Sequence, residues 1–114
     1  MPHIIVEYPE STISDQEVAM MLRVVHESAA ASDLFEKSHI RTRAYPFKKY
    51  THGASDKSYI HIQARIKSGR DSNQKKILSS RILQGVTSLD LPVSVITVEI
   101  IDMDRESYSK HAAL

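Results

Sequence analysis

The chain has 114 residues, and 15 Lys and Arg against 14 Asp and Glu give it a formal net charge of +1. This length fits one domain, and the near-neutral balance argues against a basic nucleic-acid-binding arm or a broad polyanion-binding face. The absence of cysteine excludes disulfides, thiol catalysis and cysteine-ligated metals. No apolar run approaches the roughly 20 residues of a membrane-spanning helix, and the N-terminus lacks signal-peptide features. We therefore expect a soluble cytoplasmic protein that binds neither nucleic acid nor membrane.

The first half of the chain predicts a strand, a helix and a second strand. β-Branched residues favour a strand at 3–8. Ser14 opens a capping box, and apolar residues at helical spacing continue to about Ser32. Residues 40–45 alternate, and Pro46 limits this strand or places it at a sheet edge. The alternation sets Ile40, Thr42 and Ala44 on one face and Arg41, Arg43 and Tyr45 on the other.

The second half predicts the same succession of elements. A strand over 59–67 directs Ile60, Ile62, Ala64 and Ile66 to one side. A turn ends at Arg70, and Asp71 caps a second helix, with a buried stripe of Leu78, Ile82, Val86 and Leu89. Pro92 follows this helix, and residues 93–101 predict the last strand. The polar tail from Asp102 is either a short helix or disordered.

These elements predict one α/β (α+β) domain over residues 1–114, built from two βαβ units at about 2–46 and 58–102. Each helix can return its chain parallel to the preceding strand, so both helices cover one face of a four-stranded sheet. The other face stays uncovered, which favours an oligomer. The same element order also fits a ferredoxin-like domain with different strand pairing.

Pro2 is the first candidate for chemistry. The simple interpretation is a proline that begins a strand, where its missing N–H has no cost. Proline is also small enough for the initiator Met1 to be removed, which would expose a secondary amine. Nearby cations would lower the pKa of that amine toward neutral pH, where it can act as a general base without a cofactor. The six histidines have no metal-ligand spacing, so we expect no metal site.

Arg70 is the second candidate. Arginines on strands and loops are ordinarily solvent-facing charges, and Arg41, Arg43 and Arg65 fit that interpretation. Arg70 lies just before a helix N-terminus, where a cation opposes the helix dipole. A bound carboxylate would favour both the arginine and the free N–H groups of the helix.

Several stretches together resemble the tautomerase superfamily, and most closely the 5-carboxymethyl-2-hydroxymuconate isomerases. They span nearly the whole chain to about residue 104 and include Pro2-His3-Ile4-Ile5-Val6-Glu7, Phe35, Ile40-Arg41-Thr42-Arg43, Tyr59-Ile60-His61-Ile62 and Ile66-Lys67-Ser68-Gly69-Arg70. The stretches Gly69-Arg70-Asp71-Ser72-Asn73-Gln74-Lys75 and Leu91-Pro92-Val93-Ser94-Val95 are also similar to 4-oxalocrotonate tautomerase. Residues 45–57 depart from the family by being shorter and lacking tryptophan.

The resemblance implies a homotrimer of βαββαβ subunits and a cofactor-independent isomerase or tautomerase in aromatic-compound catabolism. Its substrate would be an unsaturated 2-hydroxy or 2-keto dicarboxylic or tricarboxylic acid. Pro2 matches the catalytic proline; Arg41 and Arg70 match arginines that bind or polarise substrate, and Arg43 and Phe35 are further candidates for substrate binding. An attached Met1 would make the Pro2 nitrogen an amide, which cannot act as a base. The alternative is therefore a non-catalytic tautomerase-fold or ferredoxin-like module that binds an acidic metabolite or a protein.

Overall fold

The strands and helices follow the order predicted from the sequence. The computed structural model describes residues 1–113. The elements are β1 (His3–Pro9), α1 (Asp15–Ala31), a short 3-10 helix (Lys37–His39), β2 (Arg41–Phe47), β3 (Tyr59–Lys67), α2 (Ser72–Thr87) and β4 (Val95–Met103). Within the described residues, no helix is both long enough and apolar enough to cross a bilayer.

The four strands form one sheet in the order β2-β1-β3-β4. β1 is parallel to β2, β3 is parallel to β4, and the central pair β1 and β3 is antiparallel. In each half, the carbonyl just before the first strand accepts a backbone N–H from the start of its parallel partner: Arg41 donates to Pro2 at 3.0 Å, and Ser94 donates to Ser58 at 2.9 Å. This pairing confirms the predicted βαββαβ arrangement and excludes the ferredoxin-like alternative.

Both helices begin at the predicted caps. The Ser14 hydroxyl accepts from the Glu17 backbone N–H at 3.1 Å, and the Glu17 carboxylate accepts from the Ser14 N–H at 2.9 Å. Asp71 and Gln74 repeat this reciprocal arrangement at 2.8 and 3.0 Å. Each capping box satisfies N–H groups that the first helical turn leaves without partners, so the boundaries follow from local sequence.

The core lies between the helices and one face of the sheet. Strand β3 supplies four of its fully buried side chains at alternate positions, as predicted: Ile60, Ile62, Ala64 and Ile66. The helices contribute Met21, Val25, Ala29, Leu78, Ile82 and Val86. Leu89 follows α2 and is only partly buried. The opposite side of the sheet, here called the open face, carries the alternate residues, including His3, Arg41, Arg43, His61 and Glu99.

Three boundaries differ from the sequence prediction. β4 begins at Val95 rather than 93, because the Val93 N–H donates to the Leu91 carbonyl at 2.8 Å in a tight turn. It continues to Met103 because that residue still pairs with Lys67. β2 runs through Pro46, which the edge position tolerates. Between residues 104 and 113 the tail forms neither a helix nor a strand, and it contains a turn at 105–107.

At Gly85, helix α2 packs tightly against α1. A Cβ at this position would lie 2.7 Å from both Ser28 Oγ and Val24 Cγ1. Alanine would add about 1 kcal/mol of helix propensity, but overpacking against a β-branched neighbour costs roughly 1–3 kcal/mol. Gly85→Ala should therefore lower the free energy of unfolding measured in urea. The exposed Ser80→Ala on the same helix should raise it slightly; equal stabilisation by both variants would contradict the close contact.

Candidate active site

Strand directions bring four chain segments together at one end of the sheet. The starts of β1 and β2 and the ends of β3 and β4 all lie at this end, because β3 and β4 run antiparallel to β1 and β2. We call it the Pro2 end. It gathers the predicted residues Pro2, Arg41 and Arg70 with Lys67 and the start of the tail.

Pro2 is fully buried at the start of β1. Its carbonyl accepts the Arg41 N–H at 3.0 Å, so parallel pairing places these two residues side by side. The amino group of Met1 donates to the His39 carbonyl at 2.8 Å. With Met1 in place, the Pro2 nitrogen is a peptide nitrogen without a basic lone pair.

The Pro2 end has a positive electrostatic environment. Burial lowers the pKa of the Met1 amino group from its ordinary value of 8.0, and the charges of Arg41, Lys110 and Lys67 lower it further. Each cation disfavours the protonated amine. After removal of Met1, the free amine would be that of Pro2, one residue further along the chain and next to Arg41.

Arg41 projects from the open face into solvent. Its Nη1 donates to the His39 carbonyl at 2.9 Å, the same carbonyl that accepts from the Met1 amine. Pockets for small ligands ordinarily have volumes of roughly 300–1,000 Å³. The hollow beside Arg41 measures about 600 Å³ and is lined by Leu22, Arg23, His26, Ile40, Arg41, Thr42 and Arg43. Its lining includes two of the predicted arginines but not Pro2, Phe35 or Arg70.

Arg70 and Phe35 are brought together by the structure. The Arg70 guanidinium carbon lies 5.3 Å from the centre of the Phe35 ring, and Nη2 donates to the Leu34 carbonyl at 2.6 Å. Gly69 has a φ of 126°, which directs the chain from β3 toward α2. Asp71 places a carboxylate at the N-terminus of α2, and Arg70 faces the segment between α1 and β2.

Arg43 contacts His3, a residue for which no role is predicted from the sequence. Its Nη1 lies 3.2 Å from His3 Nδ1, and His3 Nε2 lies 3.0 Å from the Tyr108 hydroxyl. Lys67 Nζ lies 5.2 Å from the centre of the Tyr108 ring. From the sequence, only the alternation of residues along the strands could have predicted that His3 lies beside Arg43. No sequence signal identifies Tyr108, because its contact with His3 joins residues 105 positions apart.

His61 forms a second polar contact on the open face. Its Nδ1 lies 2.6 Å from Thr97 Oγ1, and its Nε2 lies 2.5 Å from a Glu99 carboxylate oxygen. In residues 1–113 the structure places no group of three His, Asp or Glu side chains that could hold a metal ion.

His3 should make stability depend on pH. Burial lowers its pKa below the ordinary 6.5, and the positive charges of Arg43, the N-terminal amine, Arg41 and Arg65 lower it further. As pH falls below 6.5, His3 binds a proton in the unfolded chain but not in the folded chain. The free energy of unfolding therefore decreases until the pH reaches the lowered pKa of folded His3.

His3→Gln should flatten this decrease in urea unfolding measured between roughly pH 7 and pH 5. His111→Gln, which changes an exposed histidine in the tail, should leave the wild-type decrease intact. A His3→Gln profile as steep as that of the wild type would show that His3 does not control it.

Solved structures with this fold belong to the tautomerase superfamily. Pt0534 inactivated by 2-oxo-3-pentynoate is 13% identical, with a TM-score of 0.84 over 95% of this chain and 91% of that one. A fused 4-OT described as a wild-type asymmetric trimer is 18% identical, with a TM-score of 0.81 over the same shares. A 5-carboxymethyl-2-hydroxymuconate delta-isomerase is 16% identical, with a TM-score of 0.79 over 99% of this chain and 89% of that one. The chain thus has the tautomerase fold.

The family model described as 5-carboxymethyl-2-hydroxymuconate isomerase matches residues 2–113. The chain therefore belongs to the 5-carboxymethyl-2-hydroxymuconate isomerase family, a family of isomerases and tautomerases. No curated protein sequence matches it.

Proposed function

We propose that the protein is a cofactor-independent isomerase of an unsaturated 2-hydroxy or 2-keto carboxylic acid such as 5-carboxymethyl-2-hydroxymuconate. Pro2, once Met1 is removed, is the general base and acid. The observation that carries this proposal is the position of Pro2, buried beside Arg41 at a positively charged end of the sheet. A cytoplasmic role in the breakdown of aromatic compounds belongs to the same proposal.

The reaction needs only a base and stabilisation of negative charge. The Pro2 amine takes the proton of the 2-hydroxyl group, which leaves a dienolate, and the protonated amine returns a proton to a carbon of the diene. The product is an unsaturated 2-keto acid with the same atoms as the substrate. Such a base contributes about 10²–10⁴-fold, and fixed donors contribute at least a comparable factor.

In this proposal, the arginines bind the carboxylates of the substrate and supply positive charge. Arg41 holds a carboxylate in a forked hydrogen bond, and its charge keeps the Pro2 amine unprotonated. Arg70 holds a second carboxylate beside Phe35, and its existing bond to the Leu34 carbonyl orients the guanidinium. Arg43 adds positive charge on the open face.

We also propose that the protein is a homotrimer. Within residues 1–113, no helix or strand packs on the open face, and Tyr45 and Val95 on this face are 53% and 40% exposed. The fused 4-OT similar in fold is described as a trimer. Light scattering should give three times the chain mass of 12.9 kDa; a monomer across a wide concentration range would contradict this assembly.

The electrophile 2-oxo-3-pentynoate tests for a reactive Pro2 without requiring the natural substrate. A free secondary amine adds to the alkyne carbon β to the ketone. A nitrogen–carbon bond forms there, one π bond of the alkyne is lost, and the amine proton moves to the carbon next to the ketone. Mass spectrometry of protein lacking Met1 should locate the adduct on Pro2. Protein that retains Met1 is the matched control, and labelling of both forms at the same rate elsewhere would refute a reactive Pro2.

One observation favours a non-catalytic binding module as the second candidate. Met1 packs against the core, and its amino group has a defined acceptor in the His39 carbonyl. A module that keeps Met1 would bind an acidic metabolite or a protein without proton transfer. Mass spectrometry of the N-terminus of protein from its native cells separates the candidates, because only a free Pro2 supports the isomerase.

A further inference from the structure

We propose that the Tyr108 hydroxyl is a hydrogen-bond donor to the anionic substrate at the Pro2 end, and that His3 orients this hydroxyl. The inference rests on the proposed isomerase function and adds a substrate-binding group from the tail. It depends on three observations: the direction of two hydrogen bonds, the anchoring of the tail, and the charge around it.

Arg43 determines the direction of the hydrogen bonds. A guanidinium group can only donate, so His3 Nδ1, 3.2 Å from Arg43 Nη1, is the acceptor. A neutral imidazole then carries its hydrogen on Nε2, which donates to the Tyr108 oxygen at 3.0 Å. The hydroxyl hydrogen of Tyr108 is therefore directed away from His3 and available to another acceptor.

The tail is held in place at this end of the sheet. Arg105 Nε donates to the Ser68 carbonyl at 2.9 Å, next to the turn that leads to Arg70. Lys67 lies over the Tyr108 ring, and the ring centre of Tyr108 is 6.0 Å from that of His3. Tyr108 is partly buried, so its ring is fixed while part of the side chain still reaches solvent.

The surroundings of Tyr108 select an anion as its acceptor. Lys67 and Lys110 lie close enough to the N-terminus for their charges to act on the Met1 amine, as does Arg41. The surrounding cations attract anions, so the acceptor that this neutral donor meets is a carboxylate or an enolate. The donor also adds direction, because a hydroxyl must point its hydrogen at the acceptor, whereas an ammonium group acts as a point charge.

Tyr108→Phe tests the hydroxyl while keeping the ring and its contact with Lys67. In protein lacking Met1, this variant should label Pro2 with 2-oxo-3-pentynoate roughly 10- to 100-fold more slowly at low reagent concentration, as expected for a lost bond to a charged group. Tyr45→Phe is the matched control, because it removes an exposed hydroxyl from the far end of the same face. Its labelling rate should equal that of the wild type.

Two substitutions at His3 separate orientation from simple packing. His3→Gln offers a carbonyl to Arg43 and an N–H to Tyr108, so it should retain labelling within a few-fold of the wild-type rate. His3→Leu offers neither and should be as slow as Tyr108→Phe. Thermal unfolding of both variants monitors the fold independently of the labelling rate.

The outcomes distinguish this inference from the proposed function. If wild-type protein lacking Met1 is not labelled at Pro2, the proposed function fails first. If Pro2 is labelled and Tyr108→Phe matches the wild type, the isomerase proposal stands and the role of Tyr108 is refuted. If Tyr108→Phe is slow but His3→Leu is not, Tyr108 binds substrate without orientation by His3, and that half of the inference fails.

Discussion

Pro2→Ala, compared with wild-type protein after removal of Met1 from both, is expected to lower kcat/KM for 2-hydroxymuconate by at least ~100-fold. Both chains then present a free amine, so the loss measures the replacement of the secondary amine of proline. The buried ring at the start of β1 fixes that nitrogen, whereas an alanine amine can rotate. The decay of the dienol ultraviolet absorbance measures the rate.

Pro46→Ala is the control for Pro2→Ala, because Pro46 is exposed on the edge strand at the far end of β2. It should keep the wild-type kcat/KM. A Pro2→Ala rate within a few-fold of the wild type would remove Pro2 from the mechanism.

Arg41→Gln should lower kcat/KM by about 10²–10³-fold, the usual effect of losing a fixed donor to developing negative charge. It should also shift the acid limb of the pH–rate profile to higher pH. The sign follows from charge: Arg41 lowers the pKa of an amine at this terminus, so its loss lets the amine hold a proton at higher pH.

Arg81→Gln is the control for Arg41→Gln, because it removes the same charge from an exposed position on α2. It should leave both kcat/KM and the pH profile unchanged. If Arg41→Gln lowers the rate without moving the acid limb, then Arg41 binds substrate but does not set the pKa of the amine.

Local chemistry made much of the fold predictable. The capping boxes at Ser14 and Asp71 begin both helices, and the strict alternation over 59–67 fixes the buried face of the central strand. These signals are readable because each acts within a few residues. The start of β4 was misplaced by two residues because the Val93 turn depends on a backbone hydrogen bond rather than on side-chain pattern.

The candidate site was predictable only where strand pairing creates it. The neighbouring positions of Pro2 and Arg41 follow from two parallel strands joined by a helix. The contact of Arg70 with Phe35 and that of Tyr108 with His3 join residues 35 and 105 positions apart, respectively, and no local pattern encodes them. Such contacts require the three-dimensional path of the tail and of the α1–β2 connection.

The matching halves of the chain differ in one decisive respect. Ser58 occupies the place in the second half that Pro2 occupies in the first, since each is buried and each carbonyl accepts a backbone N–H from the partner strand. A hollow of about 450 Å³ adjoins Ser58, with Lys57 and Asp56 in its lining. Yet Ser58 is linked on both sides by peptide bonds, so its nitrogen is a peptide nitrogen without a basic lone pair. Under the proposed function, the duplicated scaffold therefore carries only one such base in each subunit.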